Sequence, residues 1–206
     1  MCRRLLCYGD SNTYGYDPRS YLGGRYPESI RWTALLKERG WQVCNEGENG
    51  RSIPCGDREI DMAVQSLCRE EADILAVMLG SNDLLQMTSP SAEECAGRME
   101  RFLTTLLHAD GWEKSRKLLL IAPLPMVLGA WVQDEETIAA SRCLARCYED
   151  TARRLGIGFA DAGSWGIGLT FDGVHFSEAG HLAFAEGIHR ALSTFVSKDC
   201  GNQGLG

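Results

Sequence analysis

Two kinds of hydrophobic pattern alternate along the chain. Short, mainly apolar runs of strand length cover residues 5–8, 41–45, 74–79, 118–122 and 157–160. The third run has no polar interruption and is followed by Gly80, which is typical of a parallel strand that is buried on both faces. The pattern therefore predicts five strands.

Between these runs, apolar residues recur with the period of a helix. Ile60, Val64 and Leu67 lie on one stripe, and Ser91 followed by Glu94 forms a capping pattern that begins another helix. Similar stripes extend over residues 138–155 and 178–195. Strands that alternate with helices predict βαβ units, so the expected fold class is α/β with a five-stranded parallel sheet. In such a sheet, functional side chains collect beyond the carboxyl ends of the strands.

The length and charge of the chain exclude several classes of protein. With 206 residues, of which 44% are hydrophobic, we expect a single domain over residues 1–198 and a flexible tail over residues 199–206. The formal charge of −7, without any dense run of Lys and Arg, predicts no nucleic-acid partner. The longest uncharged apolar stretch, residues 118–132, is shorter than the roughly 20 residues of a membrane helix, so no membrane partner is expected.

The sequence contains nine cysteines, which are scattered and form no C-x-x-C pair. Cys143 and Cys147 would share a helix face, but no histidine or second close cysteine pair completes a metal site with them. We therefore expect reduced thiols, a cytoplasmic location, and neither a metal nor a cofactor.

Polar residues that carry chemistry follow four of the predicted strands. They form four blocks, residues 9–13, 45–51, 80–83 and, past a short loop, 172–175. Together the blocks would bring a serine hydroxyl, glycine amides, a carboxamide, a carboxylate and an imidazole to one crevice. Acyl transfer through a serine requires this set of groups. Each block alone is also compatible with ordinary turn and helix-cap chemistry.

The four blocks resemble those of the SGNH hydrolases, also called GDSL-type esterases and lipases. The matching segments are Gly9-Asp10-Ser11, Gly50, Gly80-x-Asn82-Asp83 and Asp172-x-x-His175. Residues 11–18, 25–28, 31–32 and 48–51 look most like bacterial arylesterases, some of which are also perhydrolases. The resemblance implies a flavodoxin-like, three-layer α/β/α sandwich, and the related arylesterases imply a homo-oligomer.

Within this resemblance, the matched residues take the roles of a catalytic triad and an oxyanion hole. Ser11 is the expected nucleophile, His175 is the expected base, and Asp172 is the group that orients the base. The N–H groups of Ser11 and Gly50 and the side-chain amide of Asn82 are expected to bind the oxyanion.

Four neighbouring residues allow more than one interpretation. Gly47 lies one short turn from Gly50 and is an equally free amide donor in the sequence. Asp10 and Asp83 are adjacent to the matched serine and asparagine, and both are expected to brace turns rather than to act as an acid or a base. Asn12 replaces the leucine that gives the GDSL motif its name.

The expected substrate is a small-molecule ester. An uncharged loop, residues 124–132, should line the crevice, and tyrosines within residues 14–26 should form a lip over it. Substrate contacts are expected from six residues: Asn12, Tyr14, Arg51, Met126, Trp131 and Val174.

Three functions fit these observations. The first is hydrolysis of short-chain acyl or aryl esters through an acyl-enzyme, with a perhydrolase side reaction. The second keeps the triad but acts on acetylated carbohydrates or thioesters. The third is a flavodoxin-like binding module in which residues 9–13 and the following helix cradle a phosphate or a flavin, although the P-loop and dinucleotide spacings are absent.

Overall fold

The strands form one sheet, and all of its pairings are parallel. The computed structural model describes residues 3–20 and 22–200. The strands are β1 (Arg4–Gly9), β2 (Gln42–Gly47), β3 (Ile74–Met78), β4 (Lys117–Ala122) and β5 (Gly158–Asp161), in the order β2-β1-β3-β4-β5. The predicted five-stranded parallel sheet is therefore confirmed, with strand ends that differ by one or two residues.

Helices connect the strands and cover the sheet. They are α1 (Ser11–Tyr14), α2 (Trp32–Glu38), α3 (Asp57–Arg69), α4 (Ser81–Gln86), α5 (Ala92–Leu107), α6 (Glu135–Leu155) and α7 (Glu178–Cys200), with a 3-10 turn at Ala162–Trp165. The amphipathic patterns identified α3, α5, α6 and α7. The helices α1, α2 and α4 are too short to produce a repeating apolar stripe, and the sequence patterns did not predict them.

Alternate strand residues face opposite layers, and this alternation produces the three-layer sandwich. Leu6 and Leu75 contribute to a core shared with α3, α5 and α6. Leu5 and Ile74 contribute to a second core shared with α2 and α7. Because both faces are covered, β3 is apolar and buried along its whole length.

The end of α7 and the composition of the helices can be compared with the predictions about a C-terminal tail and a membrane helix. Helix α7 continues to Cys200, and the remainder of the predicted tail, residues 201–206, lies outside the described residues. Across the part of the chain that the structure describes, no helix is both long enough and apolar enough to cross a membrane.

The loop after β4 packs against the loop that carries Asp172. The N–H groups of Val127 and Trp131 donate to the carbonyl oxygens of Gly173 and Asp172, each at 3.1 Å. Between these contacts, a Cβ atom on Gly129 would lie 2.3 Å from the carbonyl carbon of Asp172. Glycine is required here because no side chain fits between the two backbones.

We predict that Gly129→Ala lowers the free energy of unfolding by about 1–3 kcal/mol, because the added methyl group pushes the two loops apart. Urea denaturation measures the change. Gly97→Ala is the matched control, since Gly97 lies in α5 and a methyl group there would meet no atom of another element within 4 Å. That substitution should stabilise the protein by up to about 1 kcal/mol through helix propensity. Equal stability of the two variants would contradict the tight fit at Gly129.

Candidate active site

A serine, a histidine and an aspartate meet beyond the carboxyl end of β1. Ser11 begins α1, and its Oγ lies 2.8 Å from Nε2 of His175, although 164 positions separate the two residues. The other ring nitrogen of His175, Nδ1, lies 2.8 Å from Oδ2 of Asp172. All three side chains are buried. A hydroxyl, an imidazole and a carboxylate therefore form one continuous hydrogen-bonded chain.

The Asp172 carboxylate is held by its own loop. Its Oδ1 accepts the N–H groups of Val174 and His175, each at 2.9 Å, while Oδ2 contacts the imidazole. Burial raises the pKa of Asp172, but the hydrogen bonds from His175 and Val174 outweigh burial and lower the pKa to about 2. The carboxylate is thus ionised at neutral pH and fixed in orientation.

Asp10 braces the turn that presents the serine, as the sequence predicts. It is the N-cap of α1, and its Oδ1 accepts the N–H of Asn12 at 2.9 Å. Its side chain is buried, and burial raises its pKa from the usual 3.8 to about 6. The imidazole nitrogens of His175 contact Ser11 and Asp172, so the carboxylate that contacts the imidazole is that of Asp172 and not that of Asp10.

The two candidate glycine donors differ in what they already bind. The N–H of Gly47 donates to Oδ1 of Asn45 at 2.8 Å. Gly50 adopts a φ of 76°, in the region that favours glycine, and its N–H makes no hydrogen bond within the described part of the chain. The hydrogen bonds therefore favour Gly50 over Gly47 as a donor that is available to a ligand.

Asn82 and Arg51 tie the Gly50 loop to the neighbouring strand ends. Nδ2 of Asn82, on α4, donates to the carbonyl oxygen of Arg51 at 3.0 Å, which leaves its second amide hydrogen for another acceptor. Nη1 of Arg51 donates to the carbonyl oxygen of Gly9 at 2.9 Å, and its guanidinium lies over the ring of Tyr8. The loops after β1, β2 and β3 are thereby joined.

Asp83 braces the same region and is not free to act as an acid or a base. Its carboxylate is fully buried, accepts the N–H of Ile53 at 3.0 Å, and contacts Arg98 at 3.3 Å. Burial raises the pKa of Asp83, and these two contacts oppose the rise. The structure agrees with the bracing role that the sequence predicts.

Two of the six predicted substrate contacts are held in the interior. Met126 packs into the core beneath the site, and its N–H donates to Oγ of Ser141 at 3.0 Å. The Val174 side chain is also buried, beside His175 in the chain. The positions of these two side chains give no support to a substrate contact.

Three other predicted contacts are occupied by partners within the protein. Both polar atoms of the Asn12 amide bind backbone groups of the His175 segment. The guanidinium of Arg51 binds backbone carbonyls and the carboxylate of Glu48. The Tyr14 ring is covered by the guanidinium of Arg25, 4.3 Å from its centroid.

Two aromatic rings lie beside the imidazole of His175. Trp131, the sixth predicted contact, is 53% exposed, and its ring centroid lies 4.8 Å from that of His175. Tyr16, from the tyrosine-rich lip, lies at the same distance from His175 and 6.3 Å from Trp131. Val127, Leu128 and Phe171, in the two loops that pack together, are also exposed. Tyr16 and Trp131 thus form an aromatic rim beside the imidazole.

Sequence reasoning missed two residues that shape this site. Asn45 occupies the amide of Gly47, and Gly129 allows the β4 loop to approach the Asp172 loop closely. Neither role has a local sequence signal, because each depends on a contact made by the folded chain. The described residues contain no group of three or more His, Cys, Asp and Glu side chains placed to hold a metal ion.

We predict that Asp10→Asn becomes more stable relative to the unsubstituted protein as the pH rises from 4 to 7. The raised pKa means that folded Asp10 keeps its proton between pH 4 and 6 while the unfolded chain releases it, so the contribution of Asp10 to stability falls over this range. Asparagine keeps the cap and does not titrate. The relative gain should reach about 2–3 kcal/mol.

Urea denaturation of both proteins at pH 4, 5, 6 and 7 tests this expectation. A stability difference that stays constant over the four pH values would contradict the raised pKa of Asp10.

Comparisons with known proteins identify the family and the fold. The model of the GDSL-like lipase/acylhydrolase family matches residues 7–183. A carbohydrate acetylesterase family member from Sinorhizobium meliloti has a structure that is 27% identical, with a TM-score of 0.82 over 95% of this chain and 99% of that chain. The M. smegmatis aryl esterase is 26% identical, with a TM-score of 0.80 over 94% of this chain and 100% of that chain. A search of curated proteins finds no match. The chain belongs to the GDSL-like lipase/acylhydrolase family, and it is a carboxylic ester hydrolase.

Proposed function

We propose that this protein is a serine esterase that hydrolyses short-chain acyl or aryl esters through an acyl-enzyme intermediate. The observation that carries the proposal is the hydrogen-bonded chain from Ser11 through His175 to Asp172, with both links at 2.8 Å. These distances lie within the range that proton transfer between a nucleophile and its base requires.

In the acylation half of the reaction, Ser11 Oγ attacks the ester carbonyl while its proton moves to Nε2 of His175. Asp172 stabilises the imidazolium through the contact at Nδ1. The tetrahedral intermediate then expels the alcohol, which takes the proton from His175, and Ser11 retains the acyl group. In the deacylation half, His175 accepts a proton from water, the resulting hydroxide attacks the acyl-enzyme, and Ser11 leaves with the proton.

Three donors are proposed to stabilise the negative charge on the tetrahedral oxygen. They are the N–H groups of Ser11 and Gly50 and the second amide hydrogen of Asn82. The unoccupied N–H of Gly50 and the single internal hydrogen bond of the Asn82 amide support this assignment. Donors that are held in place before the reaction need no reorganisation as the charge develops, and each therefore contributes strongly to the rate.

The aromatic rim supports aryl and short acyl esters as substrates. Tyr16 and Trp131 present flat apolar surface beside His175, on which an aromatic alcohol group would stack. An acetylated carbohydrate is the second candidate, because one similar structure is a carbohydrate acetylesterase and exposed tryptophan also packs against sugar rings. Perhydrolase activity would follow if peroxide replaced water in deacylation. The homo-oligomer and the cytoplasmic location stay predictions.

A panel of p-nitrophenyl esters from acetate to octanoate tests the proposal. We expect the highest kcat/KM with the shortest acyl chains and loss of turnover in Ser11→Ala, which removes the nucleophile. A fluorophosphonate probe should label the unsubstituted protein and leave Ser11→Ala unlabelled. Release of acetate from acetylated sugars, without turnover of p-nitrophenyl acetate, would favour the second candidate. Full activity of Ser11→Ala would refute the mechanism.

Asn82→Ala tests the oxyanion hole. We expect kcat to fall by about 100- to 1,000-fold with a much smaller change in KM, because the lost donor acts on the transition state. Gln86→Ala is the matched control, since Gln86 is exposed on the same helix, α4. It should leave both constants unchanged. An undiminished kcat for Asn82→Ala would remove this residue from the oxyanion hole.

A further inference from the structure

The side chain of Asn12 joins the two halves of the candidate active site. Its Nδ2 donates to the carbonyl oxygen of Val174 at 3.1 Å, and its Oδ1 accepts the N–H of Phe176 at 2.9 Å. These two partners are the residues on either side of His175. One amide group therefore holds the backbone on both sides of the base.

Asn12 is itself fixed beside the nucleophile. It follows Ser11 in α1, its N–H donates to Oδ1 of Asp10 at 2.9 Å, and its carbonyl oxygen accepts Nε1–H of Trp32 at 2.9 Å. Only 5% of the residue is exposed. With backbone and side chain both engaged, Asn12 has little freedom to move relative to Ser11.

The pairing depends on the chemistry of a carboxamide. An amide presents one acceptor and one donor in a plane, as a peptide group does, so it satisfies the C=O of Val174 and the N–H of Phe176 together. A leucine at this position, as in the motif that names the family, has neither group. Leucine in place of Asn12 would leave two buried backbone groups without these partners.

We infer that Asn12 is a positioning residue that sets the separation of Ser11 Oγ and His175 Nε2. The sequence predicts a substrate contact for Asn12, and the positioning role replaces that prediction. The inference rests on the proposed serine esterase function. It gives Asn12 a role that differs from those of the triad and the oxyanion donors, because it acts on the base only through the backbone.

Asn12→Leu and Asn12→Asp test the inference by steady-state kinetics on p-nitrophenyl acetate. Leucine removes both hydrogen bonds, and aspartate keeps the acceptor for Phe176 but loses the donor to Val174. Because small displacements of reacting groups reduce rates sharply, we expect kcat to fall by about 10- to 100-fold in Asn12→Leu. KM should change by less than about twofold, and Asn12→Asp should also lose kcat, because a carboxylate oxygen would face the carbonyl oxygen of Val174 where the amide donates.

A control variant separates positioning from a general loss of stability. Arg116 is buried immediately before β4, at the amino ends of the strands and therefore opposite the site, and it donates to the carbonyl oxygens of Ala72 and Leu67 at 3.1 and 2.9 Å. Arg116→Met should lower the midpoint of urea unfolding and retain the kcat of the unsubstituted protein. All variants are assayed without urea, at a temperature at which circular dichroism shows that they are folded.

The outcomes distinguish this inference from the proposed function. A folded Asn12→Leu or Asn12→Asp with unchanged kcat, or a raised KM with unchanged kcat, would overturn the positioning role. If the unsubstituted protein hydrolyses no ester, the proposed function fails, and the inference is then tested by the low-field proton resonance of His175 Nδ1–H. That resonance should shift or broaden in Asn12→Leu and persist in Arg116→Met, and an unchanged resonance in Asn12→Leu would overturn the inference.

Discussion

The placement of β1 between β2 and β3 is the constraint on which the whole site depends. Because β1 has a parallel neighbour on each side, its carboxyl end lies between the loops that follow β2 and β3. The strand order changes direction between β1 and β3. Ser11 begins a helix at that point, while the Gly50 and Asn82 loops flank it. A β1 strand at the edge of the sheet would have only one such neighbour, and only one of these two loops could lie beside the Ser11 segment.

Three buried aspartates show how burial and hydrogen bonding set the protonation state of a carboxyl group. Burial raises the pKa of Asp10 and Asp83. The same effect acts on Asp172, but two backbone N–H groups and the imidazole reverse its sign. The carboxylate with the most donors is therefore the one held most strongly in the charged form, and the two that brace turns are held in that form less strongly.

Regular periodicity explains which parts of the fold the sequence could predict. The uninterrupted apolar run predicts β3 correctly. The helices α1 and α4 are not predicted, because four and six residues are too few to show a helical period. The matched blocks predicted that Ser11 and His175 would meet, and their 2.8 Å contact agrees with that expectation. The sequence predicts a substrate contact for Asn12 and no particular role for Gly129, whereas in the structure both residues join distant segments. Their roles follow from contacts between distant segments, which a single sequence does not encode locally.

The wide separation of Ser11 and His175 along the chain has a consequence for biosynthesis. During translation, His175 emerges from the ribosome 164 residues after Ser11. A nascent chain that lacks this later segment therefore carries Ser11 without its hydrogen-bond partner, and the chain of contacts from Ser11 to His175 and Asp172 forms only after residue 175 has been made.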